Sequence, residues 1–235
     1  MLGIIIQLAI SWLLVWLIER KHLGVLGLMP TPRRLADFGI FLIATALCAV
    51  LAIGLRMYFG SEQWGINPAL TFNLVMQGLW WNIKSVLFEE LIFRGVLLYI
   101  LIKRLGSVPA IIISAVAFGV YHWFSFGILG SVPQMIVVFI TTGLMGVILA
   151  YGYAKTLSLY IPIAIHLGWN LTHGFVFSQG PIGKGIFVVT HQPAITVSWT
   201  IWFIVMYVPL ITTLAVNYWL IRKKKPIIVR KPAVR

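Results

Sequence analysis

The chain has 235 residues, of which 60% are hydrophobic and 10% charged, with a mean hydropathy of +0.99. A soluble domain carries roughly a quarter charged residues, so a soluble globular fold is excluded. The net charge of +13 does not point to nucleic acid, because seven of the 18 Lys and Arg follow Leu220 and four lie between Arg20 and Arg34, flanking apolar segments in the positive-inside pattern of a membrane protein.

Apolar runs of about 18 residues or more recur along the chain, each long enough to cross a bilayer as a helix. They predict an all-α, polytopic bundle of about seven transmembrane helices. The first run, 2–18, begins without a basic leader or a small-residue cleavage site and is expected to be a retained helix. It stops at Glu19-Arg20-Lys21-His22, and the helix breakers Gly24, Gly27, Pro30 and Pro32 follow. Arg33 and Arg34 are expected at the cytoplasmic surface. The second run, 38–59, holds Cys48, the single cysteine, so no internal disulfide and no cysteine-based metal cluster can form. In the loop 60–67, Glu62 is expected in solvent and Trp64 as an interfacial anchor.

The third run, 68–102, would be about 50 Å long as a straight helix, against a hydrocarbon core of about 30 Å. It predicts a strong tilt, a kink, or a surface piece over 69–81 joined to a spanning piece over 83–102 at Asn82 and Lys84. Lys103-Arg104 closes it. The fourth run, 108–126, contains His122 and ends in a Gly-rich turn. The fifth, 132–154, contains Gly143 and Gly146, which permit close helix approach. The sixth, 159–177, carries His166, Asn170 and His173. A polar loop at 178–194 contains Lys184 and His191, and the seventh run covers 195–221. Together these predict one integral-membrane domain over 1–221 and a basic, disordered tail over 222–235 that meets anionic lipid. Alternating the sides puts the loop after the first run, Lys103-Arg104, Lys155 and the C-terminal tail together, in the cytoplasm. That implies a multi-pass plasma-membrane protein with a cytoplasmic C-terminus.

The stretch Phe88-Glu89-Glu90-Leu91-Ile92-Phe93-Arg94 stands out. It holds two of the five acidic residues inside an apolar run, where each charge costs on the order of 3 kcal/mol on insertion scales. On a helix Glu90 and Arg94 share a face and can pair. Glu89 lies about 100° round and can face a different cavity. Two adjacent carboxylates resist joint ionisation, so the arginine helps to keep one charged. Segment four adds Phe118-x-x-x-His122, with the phenylalanine expected as packing. Segment six adds His166-x-x-x-Asn170, each pair on one helix face, with His173 seven residues on and nearly in line. A carboxylate can take a proton from water, and an imidazole can orient that water or protonate a leaving nitrogen. An imidazole and an amide can stabilise the oxyanion of a tetrahedral intermediate. The set suits amide hydrolysis at a site inside the bundle.

These three motifs, in order and spacing, resemble the signature of the CAAX-protease and bacteriocin-processing family of intramembrane glutamate endopeptidases. The resemblance covers about 88–170. It implies that Glu89 activates water with His122 holding it, that His166 and Asn170 form the oxyanion site, and that Glu90 and Arg94 support them. It implies no cofactor and no metal, and the chain also lacks a His-Glu-x-x-His motif. The implied partner is a peptide or protein substrate within the membrane: a prenylated CAAX protein, a bacteriocin or signal peptide, or a target of self-immunity. Two other readings stand beside it. A proton-coupled carrier would also use intramembrane Glu and His, but the chain shows no inverted repeat. A catalytically idle immunity or scaffold protein of the same fold is the other.

Overall fold

A computed structural model of the chain describes residues 2–179, 185–193 and 197–227. Lys184 and the tail residues 228–235 therefore lie outside the described residues. The described part forms α1 (Leu2–Glu19), a 3-10 turn (Leu23–Leu26), α2 (Pro32–Gly60), β1 (Gln63–Ile66), α3 (Phe72–Phe93), α4 (Val96–Leu105), α5 (Ser107–Ser125), α6 (Val132–Thr156), α7 (Tyr160–Trp169), a π-helix (Asn170–Val176), β2 (Phe187–His191) and α8 (Trp199–Arg222). The expected helical membrane architecture is present. Five helices, α1, α2, α5, α6 and α8, are long and apolar enough to cross a membrane. Large side chains such as Trp12, Leu47, Ile112, Ile140 and Phe203 point outward from them, as lipid-facing surfaces require and soluble ones avoid. Helix α3 contains Lys84, Glu89 and Glu90, and α7 has 10 residues before its winding changes, so neither reads as a plain apolar span.

The chain forms two compact units. One comprises Met1–Phe38, Leu87–Ile163 and Tyr218–Arg235, and the other Gly39–Val86 and Ala164–Asn217. In the first unit, α5 lies along α6 with small residues at the contact. A Cβ on Gly119 would come within 2.8 Å of the Phe139 ring, and one on Gly146 within 3.1 Å of the Ala115 Cα. Gly143, the other expected contact glycine, has only an ordinary approach of 3.8 Å to the Ala115 carbonyl. Leu26, Leu91, Leu98, Tyr99, Ala150 and Leu159 fill the core of this unit. Lys103 pairs with Glu19, which joins the ends of α4 and α1, and Lys224 pairs with Asp37.

In the second unit, α7 meets α2 at Gly168, where a Cβ would lie 2.6 Å from the Leu42 carbonyl oxygen. Thr45 of α2 and Asn217 of α8 exchange hydrogen bonds at 3.3 and 3.0 Å. Strands β1 and β2 pair antiparallel, with Trp64 opposite Val189 and Ile66 opposite Phe187. These two strands are an addition to the helical reading. The run Phe187-Val188-Val189-Thr190 is β-branched and aromatic, which fits a pleated surface better than a solvated loop. His191, expected in a loop, is the last residue of β2.

Two expectations are corrected. Glu62 is not in solvent: it is buried and accepts hydrogen bonds from Arg56 Nε and Nη2 at 2.7–3.1 Å. Helix α2 ends at Gly60, and Ser61 at φ 50° turns the chain back over the last turn of that helix. Trp64 is half-buried, edge-on to Phe177 at 5.6 Å. The third segment does not divide at Asn82 and Lys84. Helix α3 runs through both, because Asn82 Nδ2 donates to the Gly78 carbonyl at 2.8 Å and so satisfies its amide within the helix.

The division falls at Arg94-Gly95. Arg94 N–H still reaches the Glu90 carbonyl at 2.8 Å, and Gly95 then takes φ −80°, ψ −133°, outside the helical region. A Cβ on Gly95 would sit 2.1 Å from the Leu91 carbonyl oxygen. The Phe93 carbonyl at the break accepts a hydrogen bond from Ser114 Oγ at 2.8 Å. Gly95→Ala is expected to destabilise the protein by about 1–3 kcal/mol, the usual range for overpacking, read as a lowered thermal midpoint of the detergent-purified protein. Gly39→Ala, at a helical position with open space around it, is expected to leave that midpoint unchanged.

Candidate active site

The last turn of α3 and the second half of α5 carry four of the candidate residues, within the first unit. Glu90 and Arg94 are one helical turn apart and both completely buried, with Nη1 3.3 Å from Oε1. The guanidinium also lies over the Phe118 ring at 4.0 Å from its centroid and beside the Phe93 ring at 5.7 Å. Burial removes water from both charges, and the carboxylate and the π-faces replace part of what is lost. The pair expected from the four-residue spacing therefore exists, and aromatic faces reinforce it.

Glu89 is placed differently. Its side chain is 12% accessible, and its Oε2 lies 3.9 Å from Nε2 of His122. His122 is buried, and its Nδ1 is 2.7 Å from the Phe118 carbonyl oxygen. A carbonyl oxygen can only accept, so Nδ1 must carry the proton of that bond. Nε2 is thereby the nitrogen turned to the carboxylate. The 3.9 Å separation is too long for a direct hydrogen bond and suits one water that touches both groups. The rings of Phe118, Tyr121 and Phe126 stand edge-on to His122 at 4.5, 5.4 and 5.1 Å. Phe93 packs on Phe118 and Tyr121 at 5.2 and 5.3 Å. Polar groups in such an apolar shell interact more strongly than they would in water.

The other expected residues lie in the second unit. His166 is buried on α7, and Asn170, half-buried, opens the π-helix. The change of winding has local causes. The Phe177 N–H reaches back five residues to the Thr172 carbonyl at 3.0 Å. Phe175 is wedged between glycines: a Cβ on Gly78 would meet its ring at 2.0 Å, and one on Gly185 its carbonyl oxygen at 1.7 Å. The Ile186 N–H then donates to that carbonyl at 3.2 Å. The expected alignment of His173 with His166 is corrected on this ground. Seven residues bring a side chain back in line only on a continuous α-helix, and the π-helix intervenes. His173 instead stacks on Trp169 at 5.2 Å with the planes 15° apart.

The structure thus brings Glu89, Glu90, Arg94 and His122 together in one unit and carries His166 and Asn170 on another. Three contributors escaped the sequence reading. Phe118 is more than packing: its carbonyl fixes the His122 tautomer and its ring supports Arg94. Its position four residues before His122 was the available signal. Ser114 and Gly78 act through contacts distant in sequence, which no local spacing announces. Among the described residues, no group of three or more His, Cys, Asp or Glu is placed to hold a metal ion.

Breaking a buried pair by removing one partner costs about 3–5 kcal/mol, because the other charge is left uncompensated. Glu90→Gln is therefore expected to lower the thermal midpoint by on the order of 10 °C. Glu89→Gln, which keeps the side chain's size and breaks no fully buried ion pair, is expected to shift it by less than half as much. Thermal unfolding of the two purified variants, read by tryptophan fluorescence, checks the contrast.

Comparison with known proteins gives one family. A family model described as Rce1-like, type II CAAX prenyl endopeptidase, matches residues 70–172. No curated protein and no solved structure matches the chain. The matched stretch contains Glu89, Glu90, Arg94, His122, His166 and Asn170. Over residues 70–172 the chain is similar to the Rce1-like CAAX endopeptidases, in agreement with the resemblance of its three motifs.

Proposed function

We propose that this chain is an intramembrane endopeptidase that hydrolyses a peptide bond in a membrane-associated protein or peptide of the CAAX type, with Glu89 as the general base. The observation that carries the reading is the facing pair of Glu89 Oε2 and His122 Nε2, 3.9 Å apart in an aromatic shell. A water touching both loses one proton to Glu89, and its oxygen bonds to the carbonyl carbon of the scissile amide. The carbonyl π electrons move to oxygen and give a tetrahedral oxyanion. When the intermediate collapses, the C–N bond breaks, and the proton held by Glu89 passes to the leaving nitrogen. His122 orients the water through Nε2. The buried Glu90–Arg94 pair keeps the neighbouring carboxylate position anchored without taking part in proton transfer.

His166 and Asn170 are assigned to the oxyanion on the family resemblance. Their residue types support it, since an imidazole N–H and an amide NH₂ are donors suited to a developing negative oxygen. The reaction proceeds without a metal in this proposal: a carboxylate supplies the base and neutral donors the electrophilic stabilisation. The enzyme would act from the plasma membrane with its basic C-terminus in the cytoplasm. CAAX-type processing is the favoured substrate class, with bacteriocin or signalling-peptide maturation as a variant of the same chemistry.

Mapping of new peptide N-termini in cells that carry the wild type or Glu89→Gln tests the proposal. Specific termini are expected only with the wild type, and identical termini in both would refute the glutamate mechanism. With a cleaved peptide in hand, His166→Ala and Asn170→Ala are each expected to lower kcat by about 10²–10³, the range for one lost oxyanion donor. The double variant is expected to lose less than the product of the two, as groups acting as a unit do. Activity of the purified protein is expected to survive a strong chelator unchanged, whereas abolition restored by added zinc would sink the metal-free step.

A further inference from the structure

A cavity of about 250 Å³ lies in the first unit, where the chain enters α2, leaves α6 and emerges from α8. It belongs to the fixed part of that unit. Gly27, at φ +69°, brings its backbone so close to the turn after α6 that a Cβ would sit 2.2 Å from the Leu157 carbonyl oxygen. Tyr160 donates its hydroxyl to the Leu28 carbonyl at 3.2 Å, and the Ile227 N–H reaches the Lys155 carbonyl at 3.1 Å. Loop, helix end and tail are thus tied to one another around the opening.

The lining is rich in hydrogen-bond donors. Arg33, Arg34 and Lys225 supply three positive charges. The one carboxylate, Asp37, is already paired with Lys224. Arg34 is held in place because Nη1 donates to the Met29 carbonyl at 2.7 Å, which leaves its other N–H groups for the cavity. Thr31 Oγ1 accepts from the Arg34 N–H at 3.2 Å, and Ser158 Oγ accepts from the Tyr160 N–H at 3.4 Å. Each hydroxyl therefore still has its own proton to give. Ser158 is 4% exposed, a buried donor in the cavity wall. Thr156 gives its proton to the Gly152 carbonyl at 2.8 Å and contributes no donor. Such a lining suits a ligand that is anionic and offers only acceptors, and phosphate oxygens are that ligand.

We propose that this cavity binds the phosphate group of an anionic phospholipid. The helices that frame it, α2, α6 and α8, are all of membrane-spanning length and composition, and the cavity lies at their ends; the ends of a helix that spans the hydrocarbon core meet the headgroup layer. Ile227, 50% exposed, provides apolar surface in the lining. The volume lies below the roughly 300–1,000 Å³ of drug-sized pockets, enough for a headgroup with the acyl chains outside. The site is distinct from the candidate protease residues, and its test needs no activity.

The full chain, purified in detergent, is titrated with short-chain phosphatidylglycerol, short-chain phosphatidylcholine or inorganic phosphate, and binding is read by native mass spectrometry and by the shift in thermal midpoint. One phosphatidylglycerol is expected to bind and to raise the midpoint, with phosphatidylcholine weaker because its cation meets three others. R33Q/K225Q is expected to weaken binding about thirtyfold, and R33Q and K225Q alone about fivefold each. Both positions are exposed, so these variants fold. R104Q, on the exposed end of α4, should bind as the wild type does. Inorganic phosphate binding as tightly as phosphatidylglycerol, and lost in the same variants, would assign the anion site to free phosphate and overturn the lipid. Binding undiminished in R33Q/K225Q, or equal for both lipids, would overturn the site itself.

Discussion

A carboxylate in an apolar chain needs a partner, and that requirement organises this protein. It has five acidic residues, and each faces a basic side chain: Glu19 with Lys103, Asp37 with Lys224, Glu62 with Arg56, Glu90 with Arg94 and Glu89 with the imidazole of His122. The first three join segments at the ends of helices. The Glu90–Arg94 pair sits where α3 stops, fully out of solvent. Desolvation makes such a pair an expensive way to gain stability. Its value here is positional. Arg94 is gripped by Glu90 on its own helical turn and by the Phe118 face on α5. The end of α3 is thereby set against α5, and Glu89, one residue earlier, comes to face His122.

The same end of α3 shows how small residues serve large ones. Gly95 lets the backbone leave the helix directly after the arginine, and Ser114 takes up the carbonyl exposed by the break. In the second unit Gly78 and Gly185 make room for Phe175, and the backbone answers by winding the π-helix that begins at Asn170. π-segments inside α-helices are uncommon and recur at functional sites. In both units, a residue singled out by its chemistry lies next to a departure from regular helix that glycine permits.

How much of this was legible in the sequence followed from how local each cause is. The Glu90–Arg94 pair spans four residues on one helix, and helical spacing alone predicts it; the same spacing put Phe118 on the face of His122 but not the bond to its carbonyl. The long third segment announced by its length that it could not be one straight span. The position of its break was hidden, because Asn82 and Lys84 looked like the polar junction while Asn82 satisfies itself on Gly78. The decisive close approach of Gly95 to Leu91 appears only in three dimensions. The burial of Glu62 depends on one positive φ at Ser61. The π-helix depends on Phe175 meeting glycines distant in sequence, so the in-line placing of His173 was beyond a reading that assumes regular winding.

The bond between His122 and Phe118 has a wider consequence. Donor and acceptor belong to the same helix, one turn apart. The choice of which ring nitrogen keeps its proton is therefore made inside α5, before any neighbour is considered. A carbonyl has two lone pairs, so Phe118 can serve the helix and the imidazole together. Rigid-body drift of α5 would change how far Nε2 stands from a carboxylate, yet it would leave the tautomer as it is. Proton bookkeeping and tertiary geometry are thus separated in this imidazole: the helix sets the first, and packing around Arg94 sets the second.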